Sequence, residues 1–307
     1  MRKTLYAGLT GLGLVLSAPA LAQDAAATDP AVQTTDTTTT TSYDPPAFQT
    51  TPDPTTRENP FTGLYIGGSF GYDVQPNDVG SSILFDNGLN GGFGDVVRTG
   101  AGANAFSPGF CNGAARTASP SGGCRNDKDG KAYYARVGVD SQLGMFTIGV
   151  VGEFGKSEIT DSVSAFSTTP ANYVMTREVE WEASIRGRIG FVAGRSTLFY
   201  GAFGPGYANI DRRFRSTNTA NSFELRGKRR QFGITGGGGV EQMIGNNFSI
   251  GLEYMYHQYQ DDDFRVRVGP GTAPATNPFR LAGGVDFART DDMFRWHSLR
   301  ATAAFRF

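Results

Sequence analysis

Cysteine and histidine are almost missing from this chain, with 2 of each in 307 residues. That excludes a disulfide-dense scaffold and leaves too few soft ligands for a zinc or haem centre. An excess of charge is missing as well. The 28 Lys and Arg against 29 Asp and Glu give a formal net charge of -1, which argues against bulk binding of nucleic acid. Beyond the N-terminus no apolar run approaches the ~20 residues that a membrane-spanning helix requires. The mean hydropathy of -0.30 would ordinarily indicate a soluble protein. A membrane barrel escapes that test, because its lipid-facing residues recur at every second position and polar ones dilute them.

What is there in quantity is glycine, 42 residues, and aromatics, 12% of the chain. Both suit tightly curved strands with aromatic girdles. The last residues, Leu299 to Phe307, alternate apolar and polar up to a final aromatic. Successive strand side chains point to opposite faces, so this is the pattern of a strand with one face in lipid and the other in a polar barrel interior. Leu299, Phe305 and Phe307 on its apolar side form the expected C-terminal signal for the barrel-assembly machinery.

Residues 1–22 have the features of a secretory signal. Arg2 and Lys3 precede an apolar run from Leu5 to Leu16, and Ala20 and Ala22 suggest cleavage before Gln23. An uncleaved membrane helix is the weaker alternative, since the run is too short to span. Residues 23–60 are rich in Thr, Pro and Asp and poor in apolar groups. They cannot bury enough surface to order themselves, so a disordered periplasmic linker is expected, with a cell-wall tether as the alternative.

Residues 61–307 carry eight alternating stretches. These are Leu64–Tyr72, Ala132–Asp140, Phe146–Phe154, Val179–Phe191, Leu198–Tyr207, Gln231–Glu241, one starting at Phe248 and one starting near Trp296. The clearest puts Val179, Trp181, Ile185, Ile189 and Phe191 on one side and Glu182, Ser184, Arg186 and Arg188 on the other. Pro205 removes a ladder donor, so a bulge or an early strand end is expected there. Tight links near Ser141–Gly144, Ala193–Ser196 and Ile244–Asn247, the last with Asn246-Asn247 suited to a two-residue hairpin, alternate with four long ones. That asymmetry is expected of an outer-membrane barrel with its long loops facing outside.

Several ordered segments resemble the small outer-membrane immunogenic proteins, also described as the porin-like or OmpA-like β-barrel family. They are Gly63 to Gly68, Trp181 to Phe191, Gly237 to Glu241, Asn246 to Tyr254 and His297 to Phe307. The resemblance implies an all-β, eight-stranded antiparallel up-and-down transmembrane barrel in the outer membrane of a Gram-negative bacterium, supporting envelope integrity and presenting surface loops. The long first loop, Pro205 and the Thr-rich leader depart from the pattern, so loop function does not carry over.

The interior parity collects Arg136, Glu153, Glu182, Arg186, Arg188, Glu241, Glu253 and Arg300. Inside an eight-stranded barrel there is room only for side chains, so these groups are expected to pair and plug the lumen. A narrow porin-like path for ions or small solutes is the alternative. Carboxylates surrounded by arginines stay ionised and make poor general acids, and no Ser and His pair with a supporting acid is identifiable. No enzyme and no cofactor is expected. Cys111 and Cys124 flank a short Gly/Ser/Pro segment in an oxidising compartment, where a disulfide is expected in preference to free thiols.

Arg212, Arg213, Arg215, Arg226, Lys228, Arg229 and Arg230 gather at the loop ends of the fifth and sixth stretches. Guanidinium groups there suit lipopolysaccharide phosphates. The alternative is solvated charge, or pairing with Asp261, Asp262 and Asp263. The expected partners are therefore outer-membrane lipids, lipopolysaccharide and the assembly machinery, without nucleic acid, and the expected state is a monomer. Weaker signals are discounted: His257 as an interior filler, Gly236 to Gly239 as close strand packing, Asp127 to Gly130 as a turn, and Trp181 and Trp296 as wall or boundary residues.

Overall fold

The computed structural model describes residues 57–75 and 81–307. The expected signal segment and residues 23–56 of the expected linker lie outside the described residues. Eight long strands dominate: β1 (Gly63–Val74), β2 (Gly130–Leu143), β3 (Phe146–Ser157), β4 (Ala171–Ala193), β5 (Thr197–Ser216), β6 (Arg230–Ile244), β7 (Phe248–Gln260) and β8 (Met293–Arg306). Each pairs antiparallel with its sequence neighbour, and β8 returns to β1 with Tyr65 opposite Arg306, so the sheet closes on itself. Closure leaves no edge strand with unpaired backbone groups, which is the condition for crossing lipid with strands.

Side-chain alternation gives the wall two faces. On β4, Ile185 is 64% exposed while Arg186 next to it is 0% exposed. Leu64, Ile66 and Phe70 of β1, Val137 and Val139 of β2, and Ile148 and Phe154 of β3 are exposed in the same way. Apolar groups at regular positions outside and charged groups inside are the reverse of a soluble protein, and they are what an acyl-chain solvent selects.

The links on one end are tight: Gly144-Met145, then residues 194–196 and 245–247. Gly144, Gly194 and Gly245 open them at φ of 62°, 62° and 66°, the left-handed region in which a side chain is strained. The third link is thus a three-residue turn and not a two-residue Asn-Asn hairpin. Asn247 instead binds the last strand, its carbonyl accepting from Arg306 N and its Nδ2 donating to Arg306 O. Ser141 and Gln142 belong to β2, not to a turn.

The other end is not a set of bare loops. The strands Ile83–Asn87, Ser222–Arg226, Arg265–Gly269 and Val285–Arg289 form a second, four-stranded sheet. The link between β3 and β4 is a strand, Thr160–Ser167, that folds back on the start of β4. Phe85, Phe106, Tyr173, Phe264, Phe279 and Phe287 bury one core between these pieces. Cys111 and Cys124 form a disulfide at the side of this cap.

Two expectations about β4 and β5 are corrected. Val179 is buried, not outward, because the pairing register shifts between Asn209 and Ile210. Glu180 is the extra residue, and a one-residue bulge inverts the parity of everything before it. Pro205 neither bulges nor ends β5, which runs on to Ser216. The residue stays registered with Ile234 of β6, while the ladder to β4 lapses at Gly204 and Pro205 and resumes in the same register with Gly206 opposite Ser184. The missing N–H therefore interrupts one ladder while the other holds the strand.

Candidate functional site

The lumen is filled by ion pairs stacked along its length. Near the tight turns, Arg306 of β8 reaches Asp140 at 3.0 Å and Glu241 at 2.8 Å, and Arg188 of β4 binds the same two carboxylates. The Arg306 guanidinium also donates to the Phe61 carbonyl, which seats Phe61 in the mouth of the barrel. Both arginines lie over the ring of Tyr65. That ring fits because Gly138 carries no side chain: an added Cβ would strike it.

One level up, Arg136 of β2 bridges Glu153 at 3.0 Å and Glu253 at 2.8 Å. Arg186 meets Glu153 at 2.7 Å and Arg300 reaches it at 3.2 Å, while Tyr200 donates to Glu253. Toward the cap, the Arg300 guanidinium donates to His257 Nε2 at 2.5 Å, and His257 Nδ1 lies 3.2 Å from Glu182. Tyr259 donates to the same carboxylate at 2.8 Å. Trp296 stacks on His257 with ring centroids 4.8 Å apart and planes at 2°. The Ser298 hydroxyl donates to Asp73 and accepts from Arg300 Nε.

All eight sequence-selected interior residues are buried in this stack. Sequence reasoning missed Asp73, Asp140 and Arg306, although each shares its strand parity with another inward-facing residue, Tyr65, Arg136 and Arg300 respectively. Trp296, expected as a wall or boundary residue, is a wall residue of β8 that faces inward and is fully buried, not a boundary anchor. Trp181 lies on the outer face beside Phe154 and Tyr207.

A second ionic layer seats the cap, foreshadowed in the sequence only by the alternative that loop arginines pair with Asp261 and its neighbours. Asp161 binds Arg177 at 2.5 Å and Arg289 at 2.7 Å, and Arg177 also reaches Asp261 and Asp291. Burial works against an ionised Asp161, but the two guanidiniums outweigh it and hold its carboxyl at about 2. Asp161 and Arg177 face each other across one hairpin, but Asp261, Asp291 and Arg289 join them from distant segments, so no local pattern announces the whole layer.

The loop arginine cluster is corrected in part. Arg212 is buried and bound to Asp261 and Asp263, so it belongs to the cap layer and cannot meet a lipid phosphate. Arg213 pairs with Glu178 and Asp211, Arg229 with Asp211 and Glu180, and Arg226 with Glu224. Arg215 donates to the Ala115 carbonyl, while Lys228 and Arg230 are exposed. Leu299, Phe305 and Phe307 all face outward.

No family model matches the chain. The 31 kDa outer-membrane immunogenic proteins of Brucella melitensis and Brucella suis are each 29% identical to it over 109 residues, 36% of this chain and 45% of the relative. The 22 kDa outer membrane protein of Rhizobium leguminosarum is 29% identical over 151 residues, 49% of this chain and 63% of that protein. The matches thus span about half the length of these relatives. Among solved structures, the outer membrane protein OprG from Pseudomonas aeruginosa has a TM-score of 0.45 at 12% identity, covering 80% of this chain and 96% of that one. Ail, the attachment invasion locus protein of Yersinia pestis, has a TM-score of 0.31 at 12% identity, covering 80% of this chain and 99% of that one. With its closed eight-stranded wall and apolar outer face, the chain is an outer-membrane β-barrel protein of the Gram-negative envelope, similar to the outer-membrane immunogenic proteins.

Proposed function

We propose that this barrel is a plugged structural element of the outer membrane that supports the envelope and presents a folded cap for surface contacts. The observation that carries the reading is the cross-lumen ion stack, in which Arg136, Arg186, Arg188, Arg300 and Arg306 are each tied to at least one carboxylate. Removing one partner of a buried pair leaves an uncompensated charge at a cost of about 3–5 kcal/mol, so each side chain resists moving aside for a solute. No catalytic role is assigned to any residue, and the carboxylates serve as permanent counter-ions.

The partners in this reading are outer-leaflet lipids and the barrel-assembly machinery, the latter through Leu299, Phe305 and Phe307. Lipopolysaccharide phosphates remain partners for the exposed loop cations, Arg230 and Lys228 foremost, since their neighbours Arg213, Arg226 and Arg229 already hold acids. The protein is expected to act as a monomer.

The test is purified, refolded protein in a planar bilayer. Silence over the voltage range that porins tolerate is the expected result. Stepwise conductance that changes in Arg186→Ala would replace the plug with a narrow channel for ions or small solutes.

A further inference from the structure

The outer wall carries one polar cluster that neither the lumen nor the cap uses. On β7 and β8, Tyr256 stands opposite His297 and Gln258 opposite Arg295. These positions have the parity of Leu252 and Leu299, which are exposed on the lipid side. Tyr254 Oη lies 2.5 Å from His297 Nδ1, and the ring of Tyr256 is 5.3 Å from that of His297. The His297 ring is therefore fixed by one nitrogen, and Nε2 is left to meet a ligand. Arg295, two residues along the strand and so roughly 7 Å away, has among the described residues an acid only at long range, Asp291 at 3.9 Å.

The wall on either side extends the pattern. Leu299 is registered with Tyr72 of β1, and Tyr72 with Lys131 of β2. Lys131 is exposed and stands above Tyr133 on the same face. Arg295 and His297 thus stand above the level of Tyr254, Leu299, Tyr72 and Lys131, and directly beneath that level Leu252 and Phe70 present bare apolar wall. Cationic donors next to an acyl-chain surface match a ligand that is anionic at one end and hydrocarbon at the other.

We propose that this face binds the phosphorylated headgroup of an outer-leaflet glycolipid. Arg295 and His297 donate to the phosphate, Lys131 adds a second positive charge, and the acyl chains lie along Leu299, Leu252 and Phe70. The proposal deepens the lipid partnership above but rests on the outward parity of β7 and β8, not on the loop arginines.

The test uses the full-length protein refolded in detergent, with diphosphoryl lipid A, its dephosphorylated form and inorganic phosphate as probes. Retained lipid is read by native mass spectrometry. Arg295→Ala with His297→Ala is expected to weaken retention of diphosphoryl lipid A on the order of tenfold or more, the loss of one to two charge-assisted contacts. Arg229→Ala with Arg230→Ala removes loop cations of the proposed function and is expected to lower retention less than the wall variant does. Heat-dependent gel migration checks that each variant is folded, and if the double variant is not, Arg295→Gln alone must show the loss. Unchanged retention in the wall variant would overturn the proposal. So would equal retention of the dephosphorylated lipid, or release by millimolar inorganic phosphate, which would mark a free-anion site. Loss confined to the loop variant would also overturn it, while leaving the loop reading standing.

Discussion

Arg300 and His257 are neighbours inside the wall, with a guanidinium N–H of Arg300 aimed at Nε2 of His257 at 2.5 Å. An arginine has no acceptor, so the contact requires a lone pair on that nitrogen, and Nδ1 then carries the proton toward Glu182. The two residues join the middle of the ion stack, where Arg300 also holds Glu153, to the layer under the cap. Arg300→Leu is expected to destabilise the barrel by about 3–5 kcal/mol, because Glu153 and Glu182 lose a buried counter-ion. His257→Gln keeps a carbonyl acceptor and is expected to cost about 1 kcal/mol. Denaturant unfolding in lipid, followed through Trp296 in a Trp181→Phe background, measures both, and equal costs would refute the asymmetry.

The cap has its own acid sensitivity. Asp161 is held at about 2 by Arg177 and Arg289, below the ~3.9 of an unfolded aspartate. Its stabilising contribution is therefore complete above pH ~4 and is lost as pH falls through about 2. Near-ultraviolet circular dichroism, which reports the aromatic core around Phe85, Tyr173 and Phe287, is expected to fade in that window. Asp161→Asn is expected to show the weakened cap already at neutral pH. A variant with the wild-type profile would place the acid response elsewhere.

Much of this was legible in the sequence, and for a physical reason. A strand between lipid and a charged lumen must alternate, so the parity that sorted Ile185 from Arg186 is a direct solvent signal. Val179 escaped because the bulge at Glu180 adds one residue without changing the local composition. The cap escaped for a different reason. Its strands are five residues or fewer apart from Thr160–Ser167, and Arg289, Asp261 and Arg212 reach the hairpin pair of Asp161 and Arg177 only through tertiary folding. Arg306 was simply three alternations beyond Arg300, the residue selected on the same strand.

The disulfide should matter to the cap alone. Cys111 and Cys124 pack against the small cluster of Ala114, Ala115, Phe166 and Val174. Cys111→Ser with Cys124→Ser is expected to destabilise the cap by roughly 3 kcal/mol, the loop-closure entropy of a short crosslink. Limited proteolysis should cut the residues between β1 and β2 faster, while heat-dependent gel migration of the barrel stays unchanged. Loss of that migration would tie the crosslink to the membrane wall.

Two glycines should behave oppositely. A Cβ on Gly71 would strike the Leu299 carbonyl and Arg300, whereas one on Gly152 has its nearest neighbour at 3.8 Å. Gly71→Val is expected to block refolding, and Gly152→Ala to refold like the parent protein. Refolding yield into lipid vesicles distinguishes them, and equal yields would contradict the crowding inside β1.

The most direct measurement is a spin-label scan of positions 183 to 191 on β4 in lipid, reading collisions with oxygen, which partitions into the acyl region. The account predicts strong oxygen access at 183, 185, 187, 189 and 191 and protection at 184, 186, 188 and 190. An aperiodic profile, or the opposite phase, would contradict it.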